Sequence, residues 1–319
     1  MVTTKCNLHC HHCRPGGEGY FENPNKIMTS SEINKVTKIS SEELGITHVK
    51  FTGGEPLLRP DILRIIENTK KINQIKDVRL VTNGTKLNRY ANSLKDAGLD
   101  AVTVSVDAVN DEVYKMIRGI GLNHIKDGLH LCKTVGLPVR INTVLMKSNA
   151  SQVEGLINLA SEVGASLKFI DLMDVNNDPK FWQREFYPFT DLRNTIERLG
   201  ALYQGYEEAT GGIGAPLLRY IMPNSLNVLL RDALEGAFYT DLCHITCKYY
   251  PCQDGVMSLR LTHDGHLKKC LIRNDNLVDI LTPLKNGDND KVRTLIQESL
   301  NILAGAKYFP HAWQPRIMV

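Results

Sequence analysis

A chain of 319 residues, 42% of them hydrophobic, can bury one barrel core with an appendage. Its net charge of +3 is too small to mark a nucleic-acid binder, and no apolar run approaches a membrane span. Eight cysteines, with no leader-like segment at the start, suit a reducing cytoplasm, where iron–sulfur clusters survive and structural disulfides are rare.

The first motif is Lys5-Cys6-Asn7-Leu8-His9-Cys10-His11-His12-Cys13, a C-x3-C-x2-C spacing. Three thiolates on one short loop hold three irons of a 4Fe–4S cube and leave the fourth iron to a small chelating molecule. A zinc ion bound by these cysteines with His9, His11 or His12 is the other chemistry the segment permits. Thr29 and Glu32 form a capping box that opens the first long helix. Strand patterns follow at residues 47–52, 78–82, 101–106, 139–145 and 167–171. Between them run helical patterns such as Val153, Leu156, Ile157 and Ala160. Cys132, beside Leu129 and Leu131 in one of these, reads as a core cysteine. After the first strand comes Thr52-Gly53-Gly54-Glu55-Pro56-Leu57-Leu58-Arg59, where paired glycines allow close backbone approach.

Regular βα alternation predicts a parallel sheet wound right-handed. Five strands and a short one before Cys6 predict an α/β fold, a partial (β/α)6 TIM-type barrel over residues 1–185. Residues 186–319 are expected to form a C-terminal auxiliary-cluster region. Cys6, Gly53, Thr82, Asp107 and Asp171 all fall at strand C-termini, the active end of such barrels. Strand alternation puts Lys50, Arg140 and Lys168 on polar faces, which favours an anionic substrate in the interior; internal pairing or an outward position is the alternative. Downstream, Cys243, Cys247, Cys252 and Cys270 are spaced C-x3-C-x4-C-x17-C around a hairpin signal at Asp264-Gly265. Four cysteines in one region predict a second cluster, with a structural zinc as the alternative.

These motifs resemble the radical S-adenosylmethionine (SAM) superfamily and, within it, the GTP 3′,8-cyclase family that begins molybdenum-cofactor synthesis. The likeness runs through residues 2–8 and 52–59, Val81-Thr82-Asn83-Gly84, Val104-Ser105-Val106-Asp107, Asn142-Thr143-Val144-Leu145-Met146, Phe169-Ile170-Asp171-Leu172-Met173 and Leu259-Arg260-Leu261-Thr262-His263-Asp264-Gly265. The resemblance implies an enzyme that cleaves SAM reductively to a 5′-deoxyadenosyl radical. Two 4Fe–4S clusters, at Cys6/Cys10/Cys13 and at Cys243/Cys247/Cys252/Cys270, are its expected metal centres. A flavodoxin- or ferredoxin-type electron donor and a small-molecule or peptide substrate are the expected partners. It also implies SAM contacts from Gly53, Gly54, Glu55, Pro56, Thr82, Ser105, Arg118, Asn142 and Met173, with Arg118 meeting the SAM carboxylate.

The downstream region departs from that family, whose auxiliary motif is C-x2-C-x13-C followed by two arginines. Counting back from Leu259-Arg260-Leu261-Thr262 puts Val256 where the second cysteine belongs and Ser258 where the first arginine belongs; Arg260 remains as a substrate contact. The family's Gly-Gly tail has no counterpart in Arg316-Ile317-Met318-Val319. The expectation is therefore a radical SAM enzyme abstracting hydrogen from a different polar, anionic molecule. The alternatives are a divergent GTP 3′,8-cyclase and a non-catalytic iron–sulfur or zinc protein.

Overall fold

The structure is a computed structural model that describes residues 1–13, 27–175, 178–207, 214, 216–256, 258–311 and 313. Met257 and residues 314–319 lie outside the described residues. Its first half alternates as the periodicity predicts. Helix α1 (Ser30–Glu42) starts at Thr29, whose side chain accepts from the Glu32 amide while Glu32 reaches back to the Thr29 amide. Then come β1 (His48–Phe51), α2 (Ile62–Lys70), β2 (Asp77–Thr82), α3 (Leu87–Asp96) and β3 (Ala101–Ser105). Helices α4 (Asp111–Arg118) and α5 (Asn123–Thr134), strand β4 (Val139–Leu145), helix α6 (Val153–Val163) and strand β5 (Ser166–Asp171) follow. The five predicted strands lie within a residue of these bounds. In β4 the faces alternate: Val139, Ile141, Thr143 and Leu145 are buried, while Arg140, Asn142 and Val144 are half-buried. Cys132 is fully buried in the core.

The sheet then continues differently from the expectation. Helices α7 (Pro179–Glu185) and α8 (Phe189–Arg198) precede β6 (Leu202–Glu207), β7 (Leu217–Ile221) and β8 (Asn227–Arg231). One eight-stranded sheet runs β1-β2-β3-β4-β5-β8-β7-β6. Strands β1 to β5 and β8 are parallel neighbours, and β7 and β6 turn back antiparallel. The sixth parallel strand is thus β8, and the sheet runs across residue 185. The segment before Cys6 forms no regular strand. It lies along the 52–55 backbone through Val2 N–H to Thr52 O (2.7 Å), Gly54 N–H to Thr3 O (2.8 Å) and Glu55 N–H to Lys5 O (2.8 Å).

The remaining chain builds a cap over the strand C-termini. It contains β9 (Ala237–Tyr239), α9 (Asp241–Thr246) and a three-stranded sheet of β10 (Arg260–Leu261), β11 (His266–Lys268) and β12 (Val278–Asp279). The hairpin turn at Asp264-Gly265 is where it was expected, with Gly265 at φ +87°. Helices α10 (Leu281–Lys285) and α11 (Asn289–Ala304) lead to β13 (Lys307–Phe309), which pairs with β9. Among the described residues, no helix is long and apolar enough to cross a membrane.

Candidate functional site

The Cys6–Cys13 loop stands at the C-terminal ends of the first strands. Cys6 and Cys13 are exposed and Cys10 is half-buried. The Leu8 amide donates to Cys6 Sγ (3.4 Å) and the Asn83 side chain lies 3.8 Å from it. The Cys13 amide donates to the Cys10 carbonyl, closing a turn that holds these two cysteines together. Three accessible thiols on one loop, two of them already receiving N–H donors from the chain, fit a thiolate-ligated cluster.

Behind Cys10 is a buried charged group that sequence reading did not assemble. Arg118 Nη1 donates to Cys10 Sγ (3.5 Å) and Nε to Asp107 (2.6 Å). Asp107 also accepts from the Val144 amide and stands 3.7 Å from His12 Nε2. Burial works to raise the Asp107 carboxyl, and the Arg118 guanidinium overcomes it and holds that carboxyl below its usual range. Burial pushes the Cys10 thiol up, and the nearby Arg118 charge offsets part of that rise. Burial takes His12 down to about 4, so its imidazole is neutral at pH 7. Arg118 was expected at the SAM carboxylate; its guanidinium here is buried between Asp107 and Cys10.

The glycine motif has a structural explanation. A Cβ on Gly53 would come within 2.3 Å of Thr3 O, and one on Gly54 within 2.3 Å of Lys5 O. The glycines let the segment leading to Cys6 lie against the end of β1. Glu55, expected beside the SAM amine, is 1% exposed. Its carboxylate accepts from the Thr82 hydroxyl (2.7 Å), the Asn83 amide (2.6 Å) and the Leu57 amide (2.9 Å). Glu55 and Thr82 therefore brace the loop ends, and Pro56 begins the short turn that follows. Ser105 and Asn142 are register partners on the interior face, with Asn142 Oδ1 buried and unpartnered. Met173 sits two residues beyond the end of β5, half-buried.

Lower in the barrel, register aligns cations across the strands. Lys50 is the register neighbour of Arg79, and Lys168 lies between Asn142 and Leu229; Arg140 is two residues before Asn142. Arg79 and Arg231 join the three expected residues. Arg79 is tied to Asp77 (2.7 Å) and Arg231 to Asp171 (2.6 Å). Among the described residues, neither Arg140 nor Lys168 has a carboxylate at ion-pair distance. Burial, then the charges of Arg231, Lys50 and Arg140, lowers Lys168 to about 7. Burial and Arg79 lower Arg140 as well. Glu207 acts on Arg140 and Lys168 with the opposite charge but from beyond ion-pair distance, so these two cations still favour an anionic ligand.

Cys243, Cys247, Cys252 and Cys270 line one cavity, together with Val256 and Tyr239. The cavity volume is about 30 Å³. Among the described residues, no three His, Cys, Asp or Glu side chains meet closely enough for a single ion; the thiols ring a space instead. Burial pushes the Cys252 thiol up to about 12, so binding there must displace its proton. Arg260 lies on β10; its charge acts on Cys270, and its Nη1 is buried without a partner. The cavity is joined to the barrel through Arg231, which donates to Gln253 O (2.5 Å), and through Gln253 Nε2, which donates to Leu172 O (2.9 Å).

Residues 1–160 match the family model of the radical SAM superfamily. The "Probable GTP 3′,8-cyclase" of Methanococcus aeolicus is 38% identical over 297 residues, 90% of this chain and 89% of that protein. The protein of the same name from Pyrococcus horikoshii is 34% identical over 294 residues, 91% of this chain and 87% of that one. Among solved structures, histidine-tagged anSMEcpe with bound AdoMet superposes at TM-score 0.63 and 19% identity over 95% of this chain and 78% of that one. Streptococcus suis SuiB bound to S-adenosylmethionine gives TM-score 0.51 at 18% identity, covering 62% of this chain. The chain spans less than half of SuiB, 45%. At these identities the structural matches speak for the fold.

Proposed function

This chain belongs to the radical SAM superfamily of enzymes, and from that premise we propose that it is a GTP 3′,8-cyclase-type enzyme whose barrel takes a purine nucleoside triphosphate. The observation that carries the reading is the pair Arg140 and Lys168, which among the described residues have no carboxylate at ion-pair distance, with the exposed Lys50 adding its charge at Lys168. A triphosphate supplies the anions that Arg140 and Lys168 lack. The similarity to the cyclases, 38% over 90% of the chain, shifts the weight from an unnamed anionic substrate to GTP.

Cys6, Cys10 and Cys13 would hold the 4Fe–4S cluster. The bound cluster would pass one electron from a flavodoxin- or ferredoxin-type donor to SAM, breaking its sulfonium C–S bond to methionine and a 5′-deoxyadenosyl radical able to take hydrogen from the substrate. Gly53, Gly54, Ser105, Asn142 and Met173 are the residues that would contact SAM. The unpartnered Asn142 Oδ1 is suited to accept from a ribose hydroxyl. Arg118 stays with Asp107 and Cys10, so its part is to hold and polarise the cluster side. The downstream cysteines would hold an auxiliary 4Fe–4S cluster, with Arg260 reaching the substrate from its side.

A second reading keeps the radical chemistry and changes the substrate. It is favoured by Val256 in the cysteine cavity and by Ser258, which stand where the cyclase family has a cysteine and an arginine. One incubation separates the two. Anaerobically reconstituted protein with GTP, SAM and dithionite should yield 5′-deoxyadenosine and a cyclised nucleotide isomeric with GTP, seen by mass and chromatography. SAM cleavage without that isomer would reject the cyclase reading and leave the second.

A further inference from the structure

We propose that the auxiliary cluster is closed, with Cys243, Cys247, Cys252 and Cys270 each ligating one iron and no iron left for substrate. The proposal rests on the reading that these cysteines hold a 4Fe–4S cluster, and it deepens that reading. All four thiols line one cavity although they come from three different pieces of chain. Cys243 lies within α9 and Cys247 just past its end. Cys252 sits in the turn that leads back to the barrel, and Cys270 two residues beyond β11. The backbone already points donors at two of the sulfurs. Gly255 N–H donates to Cys252 Sγ (3.3 Å), and Ile272 and Arg273 N–H donate to Cys270 Sγ (both 3.3 Å). Such donors stabilise thiolate ligands and are built where a sulfur carries charge. Four thiolates satisfy the four irons of a cube, each thiol releasing its proton on ligation.

Closure changes what the site does to a substrate. A purine could not be read by coordination to iron. It would be read by polar side chains such as Arg260, whose Nη1 is buried without a partner. The cluster itself would serve as a relay for one electron between the outside and the barrel. Arg231, buried against Asp171, close to Asp254 and bonded to the Gln253 carbonyl beside Cys252, is the positive group through which it faces the barrel.

The test uses the full-length Cys6→Ala/Cys10→Ala/Cys13→Ala variant, which isolates the second cluster. After anaerobic reconstitution it should hold about four iron and four sulfide. Its reduced EPR spectrum should be unchanged by GTP or by imidazole, and 15N-labelled GTP should give no nitrogen coupling. Adding Cys243→Ala, Cys247→Ala, Cys252→Ala or Cys270→Ala to that background should make the spectrum responsive to imidazole or abolish the cluster. A spectrum shifted by GTP with nitrogen coupling would overturn closure. So would one of the four alanine variants keeping the parent iron content, spectrum and indifference to imidazole. Stoichiometric zinc in place of iron would overturn the cluster reading itself. The imidazole response and the alanine series report on the irons alone, so they decide closure whether or not GTP is the substrate.

Discussion

Lys168 shows how much a single residue can report. On a free chain its ammonium titrates at about 10.4; in the barrel it is lowered to about 7 by burial and by Arg231, Lys50 and Arg140. The sign of the linkage follows. Between about pH 7 and about 10.4 the unfolded chain binds more protons than the folded one, so this group makes the fold more stable as pH rises across that window. A polyanion beside Lys168 reverses the local balance and draws a proton onto it. Affinity for GTP, or for inorganic triphosphate, should therefore weaken by up to roughly tenfold per pH unit above pH 7. Lys168→Met should weaken binding by about 10- to 100-fold near pH 7 and flatten the profile. Calorimetric titrations from about pH 6.5 to about 9 check this, and parallel slopes in wild type and variant would remove Lys168 from the anion site. The parity of Lys168 was legible in the sequence. Its lowered ammonium was not, because that depends on cations from three other strands.

At the scale of an element, the Thr52–Arg59 segment teaches a different lesson. Its glycines are readable from sequence as a place of close approach, but the approaching group is the chain's own Thr3–Lys5 backbone. Gly54→Ala would drive a methyl against Lys5 O and Thr4 O, at 2.3 and 2.5 Å, with backbone on either side. The segment leading to Cys6 must then move, carrying the first ligand of the loop with it. The variant should fold, with circular dichroism like wild type, and lose about half of its reconstituted iron, since only the downstream cysteines keep their geometry. Full iron retention and undiminished SAM cleavage would show that the approach is not needed. The capping box at Thr29 and Glu32, by contrast, was fully legible, because it is a contact across three residues.

Across the whole molecule, the junction between barrel and cap depends on one buried cation. Arg231, 3% exposed, ends β8, pairs with Asp171 at the end of β5 and donates to the Gln253 carbonyl beside Cys252. Asp254 stands 3.8 Å away. Arg231→Met preserves volume but leaves two buried carboxylates without their cation, a change that costs about 3–5 kcal/mol. Urea denaturation of the iron-free protein should report that loss. A loss below about 1 kcal/mol would mean that the junction is held by packing alone. In the sequence, nothing near Leu230 or Asp232 hints at a partner 60 positions away.

The sequence by itself determined the parts that depend on near neighbours. These are the five βα strands, the helix cap, the hairpin turn, the cysteine loop and the active end of the barrel, each encoded by spacings of a few residues. Tertiary structure alone decided which strand came sixth in the parallel set, because β8 reaches β5 past two helices and an antiparallel pair. It also decided that Arg118 turns to Asp107 and Cys10 and that Glu55 braces Thr82 and Asn83. Those outcomes follow from burial. Once the chain closes, a charge taken out of water is stabilised by whatever partner the fold has brought to it, as Asp107 is by Arg118, and distance along the sequence has no bearing on that choice.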